Sequence, residues 1–155
     1  MRTEHSGTGA RTAPASGAGP DTGTRSSGPG RLLVAVYGVF ALSATARAGY
    51  QIATKFSEAP LAYLLSALAA VVYIVATVAL ARSGPRAYWT CVAAVSVELA
   101  GVLAVGLLSL LDPAALPHDT VWSGFGKGYG YVPLVLPVLG LWWLRRHRPG
   151  ARRAG

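Results

Sequence analysis

The sequence predicts an all-α, polytopic membrane protein with four transmembrane helices and both termini in the cytoplasm. Three observations carry that prediction. First, 13% of the 155 residues are charged against 52% hydrophobic, with a mean hydropathy of +0.42. A soluble domain needs more charge than this to cover its surface. Second, apolar stretches near residues 32–52, 61–81, 88–111 and 124–144 are separated by short breaks rich in proline and glycine. About twenty apolar residues in a helix, rising about 1.5 Å each, cross a hydrocarbon layer of roughly 30 Å. Third, basic residues gather at alternate breaks, as they do on the cytoplasmic edges of membrane helices.

The charge pattern sets the orientation. Four of the 14 basic residues precede the first stretch or open it at Arg31, two flank the break at Arg82 and Arg86, and five follow Leu144. The opposite side holds Lys55 and Lys127, with Arg47 near the membrane edge, against Glu58, Asp112 and Asp119. Each loop therefore points the same way, to a multi-pass plasma-membrane protein with cytoplasmic N and C termini. The net charge of +8 does not indicate nucleic-acid binding, because the basic residues border apolar runs rather than forming a stripe.

Residues 1–30 are mostly Gly, Ser, Thr, Ala, Pro and Arg, a composition with little to bury, and are expected to form a disordered cytoplasmic tail. Residues 147–155 make a short basic tail at the other end. In the first span, Ser43, Arg47, Gln51 and Lys55 follow at intervals of four and share one helical face. A lipid-facing helix would not keep such a stripe, so it is expected to meet other helices or an aqueous vestibule. Ala44-Thr45-Ala46 or Ala46-Arg47-Ala48 loosely matches a signal-peptide cleavage site, but the polar tail ahead of the apolar run is long for that purpose, and an uncleaved span is the favoured reading.

Residues 56–60 form a turn, with Pro60 placed to start the second span. There Ala62, Ser66, Ala69, Ala70, Tyr73 and Thr77 put small or hydroxyl-bearing groups on one face, suited to close helix approach and to hydrogen bonds across helices. Ser83-Gly84-Pro85 breaks the chain again. The third span, the longest apolar run, carries Glu98 near its middle with Ala94, Gly101, Val105 and Ser109 on the same side. Asp112-Pro113 ends it. Its one cysteine, Cys91, is expected to pack as a small hydrophobe, since a single cysteine supplies neither an intrachain disulfide nor a CxxC pair.

The last stretch is the least regular. From Trp122 to Tyr131 glycines alternate with aromatic or basic residues, and Pro133 and Pro137 then fall on one helical face. A helix from about Tyr129 to Leu144 would be only about 24 Å long. Either the glycine run enters the membrane beside the other helices or local thinning accommodates a short span. Trp142 and Trp143, followed by Arg145, Arg146 and Arg148, suit an interfacial belt.

Candidate chemistry centres on an intramembrane polar site of Arg47, Glu98, Ser43, Gln51 and Tyr73, with Tyr37, Ser96 and Thr77 as further polar neighbours. Depths counted along the two helices place Arg47 and Glu98 about 9 Å apart in level, and an ion pair between them is the expected means of tolerating both charges. Trp122, Gly124, Gly126, Lys127, Gly128 and Gly130 form a candidate packing motif on the outer face. Lys127 is followed by Gly128 rather than Ser or Thr, so the run is not a P-loop, and binding of phosphate or a lipid headgroup is the lesser reading beside tight aromatic packing. His118, Asp119 and Asp112 match no strong metal template, and Glu4 and His5 supply no metal geometry either. No nucleophile–base set is present, so no catalytic residue, metal or cofactor is expected.

The segment Asp119–Pro133, with Pro137 and Trp142-Trp143-Leu144-Arg145-Arg146, resembles small four-span integral membrane proteins of high-GC actinobacteria. The likeness covers residues 31–146 and implies a plasma-membrane location but no biochemical role. With so little mass outside the bilayer, the expected function is that of a non-catalytic accessory or scaffold subunit, packing on a membrane-protein partner or on itself. The alternative is a small proton- or cation-coupled transporter or channel that uses Glu98.

Overall fold

A computed structural model describes residues 28–148, all of them in helices, turns and coil. Residues 1–27 and 149–155, which hold nearly all of the N-terminal tail and most of the basic C-terminal one, lie outside the described residues. Helix α1 spans Gly28–Lys55, α2 Pro60–Ala81, α3 Pro85–Leu111 and α4 Val132–Arg146. The first helix thus starts before residue 31: Gly28, Pro29 and Gly30, assigned from composition to the tail, form its opening turn, where proline's missing N–H is harmless.

Local chemistry explains the breaks. Phe56–Glu58 make one 3-10 turn before Pro60 opens α2. Gly84, at φ 114°, takes a backbone conformation open mainly to glycine and lets Pro85 start α3 directly. Asp112 caps the end of α3 and accepts a hydrogen bond from the Ala115 amide at 3.3 Å. These short connections set α1, α2 and α3 antiparallel in turn. Helix α4 runs back along α3, with Gly140 beside Val95 and Arg145 near Tyr88.

Three helices, α1, α2 and α3, are long and apolar enough to cross a membrane. Helix α4, at 15 residues, is not. Its length is about 22 Å at the helical rise. The fourth position in the bundle is completed by a coiled segment, residues 112–131, that folds against α3 and α4 rather than standing clear of them. The packing face expected for α2 is observed: Ala62, Ser66, Ala69, Ala70 and Tyr73 are all buried, and Thr77 is half-buried. On α1 the facing residues are Tyr37, Ala41, Ala44 and Ala48, so two lines of small side chains meet and bring the helices close. Ala44-Thr45-Ala46 lies inside continuous helix.

The hydroxyls on these helices behave differently from expectation. Ser66 and Thr77 donate back to the carbonyls of Ala62 and Tyr73, four residues earlier, instead of reaching a neighbouring helix. An i–4 carbonyl is always within reach, whereas an interhelical acceptor requires matched positions. Outside the bundle, large apolar side chains remain exposed around every helix, among them Leu42, Leu64, Trp89, Leu107 and Val138.

Candidate functional site

The centre of the bundle is built from one residue of each helix. Glu98 of α3 is completely buried, and Tyr37 of α1 donates its hydroxyl proton to the Glu98 carboxyl at 2.7 Å. Tyr73 of α2 packs its ring 6.2 Å from that of Tyr37. Gly140 of α4 sits where a β-carbon would lie 3.5 Å from the Tyr37 hydroxyl. A carboxyl group here follows the helical period of α3, which buries Cys91, Ala94, Val95, Glu98, Val102 and Val105 on one face. Its second oxygen, Oε1, has no hydrogen-bond partner among the described residues.

Arg47 does not pair with Glu98. Its guanidinium donates to the Tyr129 hydroxyl at 2.8 Å and to the Asp119 carbonyl at 2.7 Å. The physical reason is level. Glu98 lies opposite Tyr37, and Arg47 is ten residues further along α1, about 15 Å away at the helical rise. A long cationic side chain that close to a helix end extends toward the nearest polar acceptors rather than back into an apolar core. The rest of the predicted stripe divides: Gln51 is half-buried beside Arg47's end of the helix, while Ser43 and Lys55 are exposed. Tyr73 joins Glu98's surroundings, but Ser96 faces outward and Thr77 is satisfied within its own helix.

The coiled segment is the feature that sequence reasoning described least well. Trp122, 1% exposed, inserts between α2 and α3, and its indole N–H donates to the Tyr73 hydroxyl at 3.2 Å. Its ring lies on Gly101, where an added β-carbon would come within 2.6 Å of it. One turn and a half further along α3, the Phe125 ring rests on Gly106 in the same way, at 2.5 Å from such a β-carbon. Two glycines that looked merely permissive are therefore sockets for two aromatic side chains.

Side-chain hydroxyls satisfy part of this segment's backbone. Thr120 and Ser123 form a hydroxyl-centred turn: the Thr120 amide donates to Ser123 Oγ at 2.9 Å, and the amides of Trp122 and Ser123 donate to Thr120 Oγ1, each at 3.1 Å. The Gly124 amide reaches across to Ser109 of α3 at 2.8 Å. Such bonds let a non-helical chain sit inside a bundle without orphaned polar groups. Of the predicted packing motif, Trp122 and Gly126 are buried, the latter against Pro133, whereas Lys127, Gly128 and Gly130 are exposed.

Beside this segment lies an open cavity of about 600 Å³. Arg47, Asp119, Thr120, Lys127, Gly128 and Tyr129 line it. His118 approaches Glu58 at 3.7 Å and the Tyr63 ring, away from Asp112, and the described residues contain no cluster of three metal-ligating side chains. At the other end of the bundle Trp142 is exposed beneath the Arg146 guanidinium, but Trp143 turns inward and stacks on His147, so only one of the two tryptophans suits an interfacial position. Compared with protein-family models, curated proteins and solved structures, the chain matches none.

Proposed function

We propose that the chain is a four-span protein of the plasma membrane with both termini cytoplasmic, acting as a non-catalytic accessory or scaffold subunit that packs on a membrane partner or on a second copy. The observation that carries the scaffold reading is the complete enclosure of Glu98 and its bond to Tyr37. Held there, the acid ties α1 to α3 and serves the bundle's cohesion. The open cavity and two further surface hollows, near Arg82 and near Trp89, are lined by other residues. Exposed leucines, valines and tryptophans around the helices support lipid or another protein as the surrounding medium. In this reading the 15-residue α4 and the coiled segment together make the fourth span, which irregular backbone can do at membrane depth when it is buried in protein.

Two experiments test this. Single cysteines at Ser83 and Ser57 in a Cys91→Ala background should be labelled from the cytoplasmic and the external side respectively; labelling of both from one side removes the topology. Extraction in mild detergent should give a stoichiometric complex or homo-oligomer by native mass, and a uniform monomer would count against the scaffold role. The second reading, transport of a proton or cation, is favoured by the buried, unpartnered Oε1 of Glu98. It requires flux in liposomes that Glu98→Gln abolishes.

A further inference from the structure

We infer that the cavity between α1 and the coiled segment binds an anionic phosphate group, held by Arg47, Lys127 and the Tyr129 hydroxyl. Arg47 and Lys127 give the lining two positive charges and Asp119 one negative, a formal excess of +1. Among the described residues neither cation has a carboxylate partner within salt-bridge distance, where the single ion pair is that of His118 with Glu58. Arg47 is half-buried, and both of its acceptors, a phenol oxygen and a backbone carbonyl, are neutral. A partly desolvated guanidinium whose charge is left unbalanced attracts an anion, and its planar fork suits phosphate oxygens.

The donors needed line the same space. Two bonds hold Arg47 in place, and three of its five N–H groups are left over for a ligand. The Tyr129 hydroxyl accepts from Arg47, so its own proton remains available to donate. The Lys127 carbonyl accepts from the Gly130 amide at 3.3 Å, but its ammonium makes no hydrogen bond to a described residue, and Gly128 next to it adds no side chain to narrow the opening. At about 600 Å³ the cavity admits a phosphate together with the group that bears it. The phosphate belongs either to a soluble phosphate compound or to a phospholipid headgroup from the leaflet at this end of the bundle. Only the second source rests on the proposed topology.

The test is titration of the full chain in a neutral detergent with inorganic phosphate and with glycerol phosphate, alongside native mass spectrometry from nanodiscs containing phosphatidylglycerol. One of the three is expected to bind saturably at one per chain, with the soluble probes and the lipid distinguishing the two sources. Lys127→Gln should weaken it about tenfold or more, the usual effect of losing one charge-assisted contact. Lys55→Gln, at the same end of α1 but outside the cavity, should leave it unchanged. Arg47→Gln also removes bonds that hold the coiled segment, so Lys127→Gln is the deciding variant. Absence of binding by all three probes, equal binding by Lys127→Gln, or an equal loss in Lys55→Gln would each overturn the assignment. A failed topology with intact binding of soluble phosphate would leave it standing.

Discussion

Replacing Gly101 with alanine tests the central packing claim most directly. The added methyl would lie 2.6, 2.8 and 2.9 Å from three carbons of the Trp122 ring, all closer than non-bonded carbons approach. The ring cannot swing aside cheaply, because it is 1% exposed and its indole N–H is bonded to Tyr73. Overpacking of this sort costs about 1–3 kcal/mol, and alanine returns about 0.5–1 kcal/mol through its better helix propensity. The net expectation is a loss of up to about 2.5 kcal/mol, or up to about a seventyfold fall in the folded-to-unfolded ratio. Gly49→Ala is the matched control, since a β-carbon there meets nothing within 4 Å. It should be neutral or stabilising by up to about 1 kcal/mol. Reversible unfolding in mixed detergent and SDS measures both. In a Trp122→Ala background the penalty at Gly101 should vanish, because the clashing ring is gone. If Gly101→Ala were as well tolerated as Gly49→Ala in the natural background, Trp122 would not occupy that socket.

Three further outcomes follow from the same contacts. Tyr37→Phe leaves a fully buried carboxyl oxygen without its donor and should cost about 1–3 kcal/mol in the same unfolding assay, whereas a loss below about 0.5 kcal/mol would show that the bond is dispensable. Variants retaining only Trp122 should show blue-shifted emission protected from both acrylamide and brominated lipid, while those retaining only Trp89 or Trp142, which are exposed, should be quenched from lipid. The Cys91 thiol, 1% exposed, should resist maleimide until SDS unfolds the bundle, and rapid labelling of the native chain would contradict its burial.

What the sequence made legible was whatever depends on local period. Small residues at spacings of three and four on α2 marked its buried face, because a helix turns those positions the same way whatever it packs against. Ser83-Gly84-Pro85 and Asp112-Pro113 marked chain breaks through their own backbone limits. Partners distant in sequence were not legible. Gly101 and Gly106 showed as places for close approach, yet nothing local says that Trp122 and Phe125 fill them. The Arg47–Glu98 pair failed for a related reason: counting residues from helix ends supposes that all ends share one plane. Helix α1 begins at Gly28 and α3 at Pro85, each about a turn before its apolar run, so those shifts cancel in the count. Glu98, well inside α3, instead lies level with Tyr37, which is nearer the start of α1, so the two starts are offset by about 6 Å.

The glycine-aromatic run resisted a sequence reading because its geometry is set by tertiary contact. Phe125 and Tyr131 adopt φ near +60°, a region that costs an L side chain about 1–2 kcal/mol. No propensity scale would place a phenylalanine there. The ring of Phe125 is instead held over Gly106, where burial of an aromatic surface offsets the backbone strain. The left-handed turn at Gly124, Phe125 and Gly126 reverses the chain so that Lys127 and Tyr129 come back to the side of Arg47. Filling the Gly106 socket therefore disturbs two things at once. Gly106→Leu should destabilise the bundle and also release Lys127 from its position beside Arg47, weakening phosphate binding even in the fraction that remains folded. Binding that survives unchanged in folded Gly106→Leu protein would show that the aromatic socket does not set the cavity's shape.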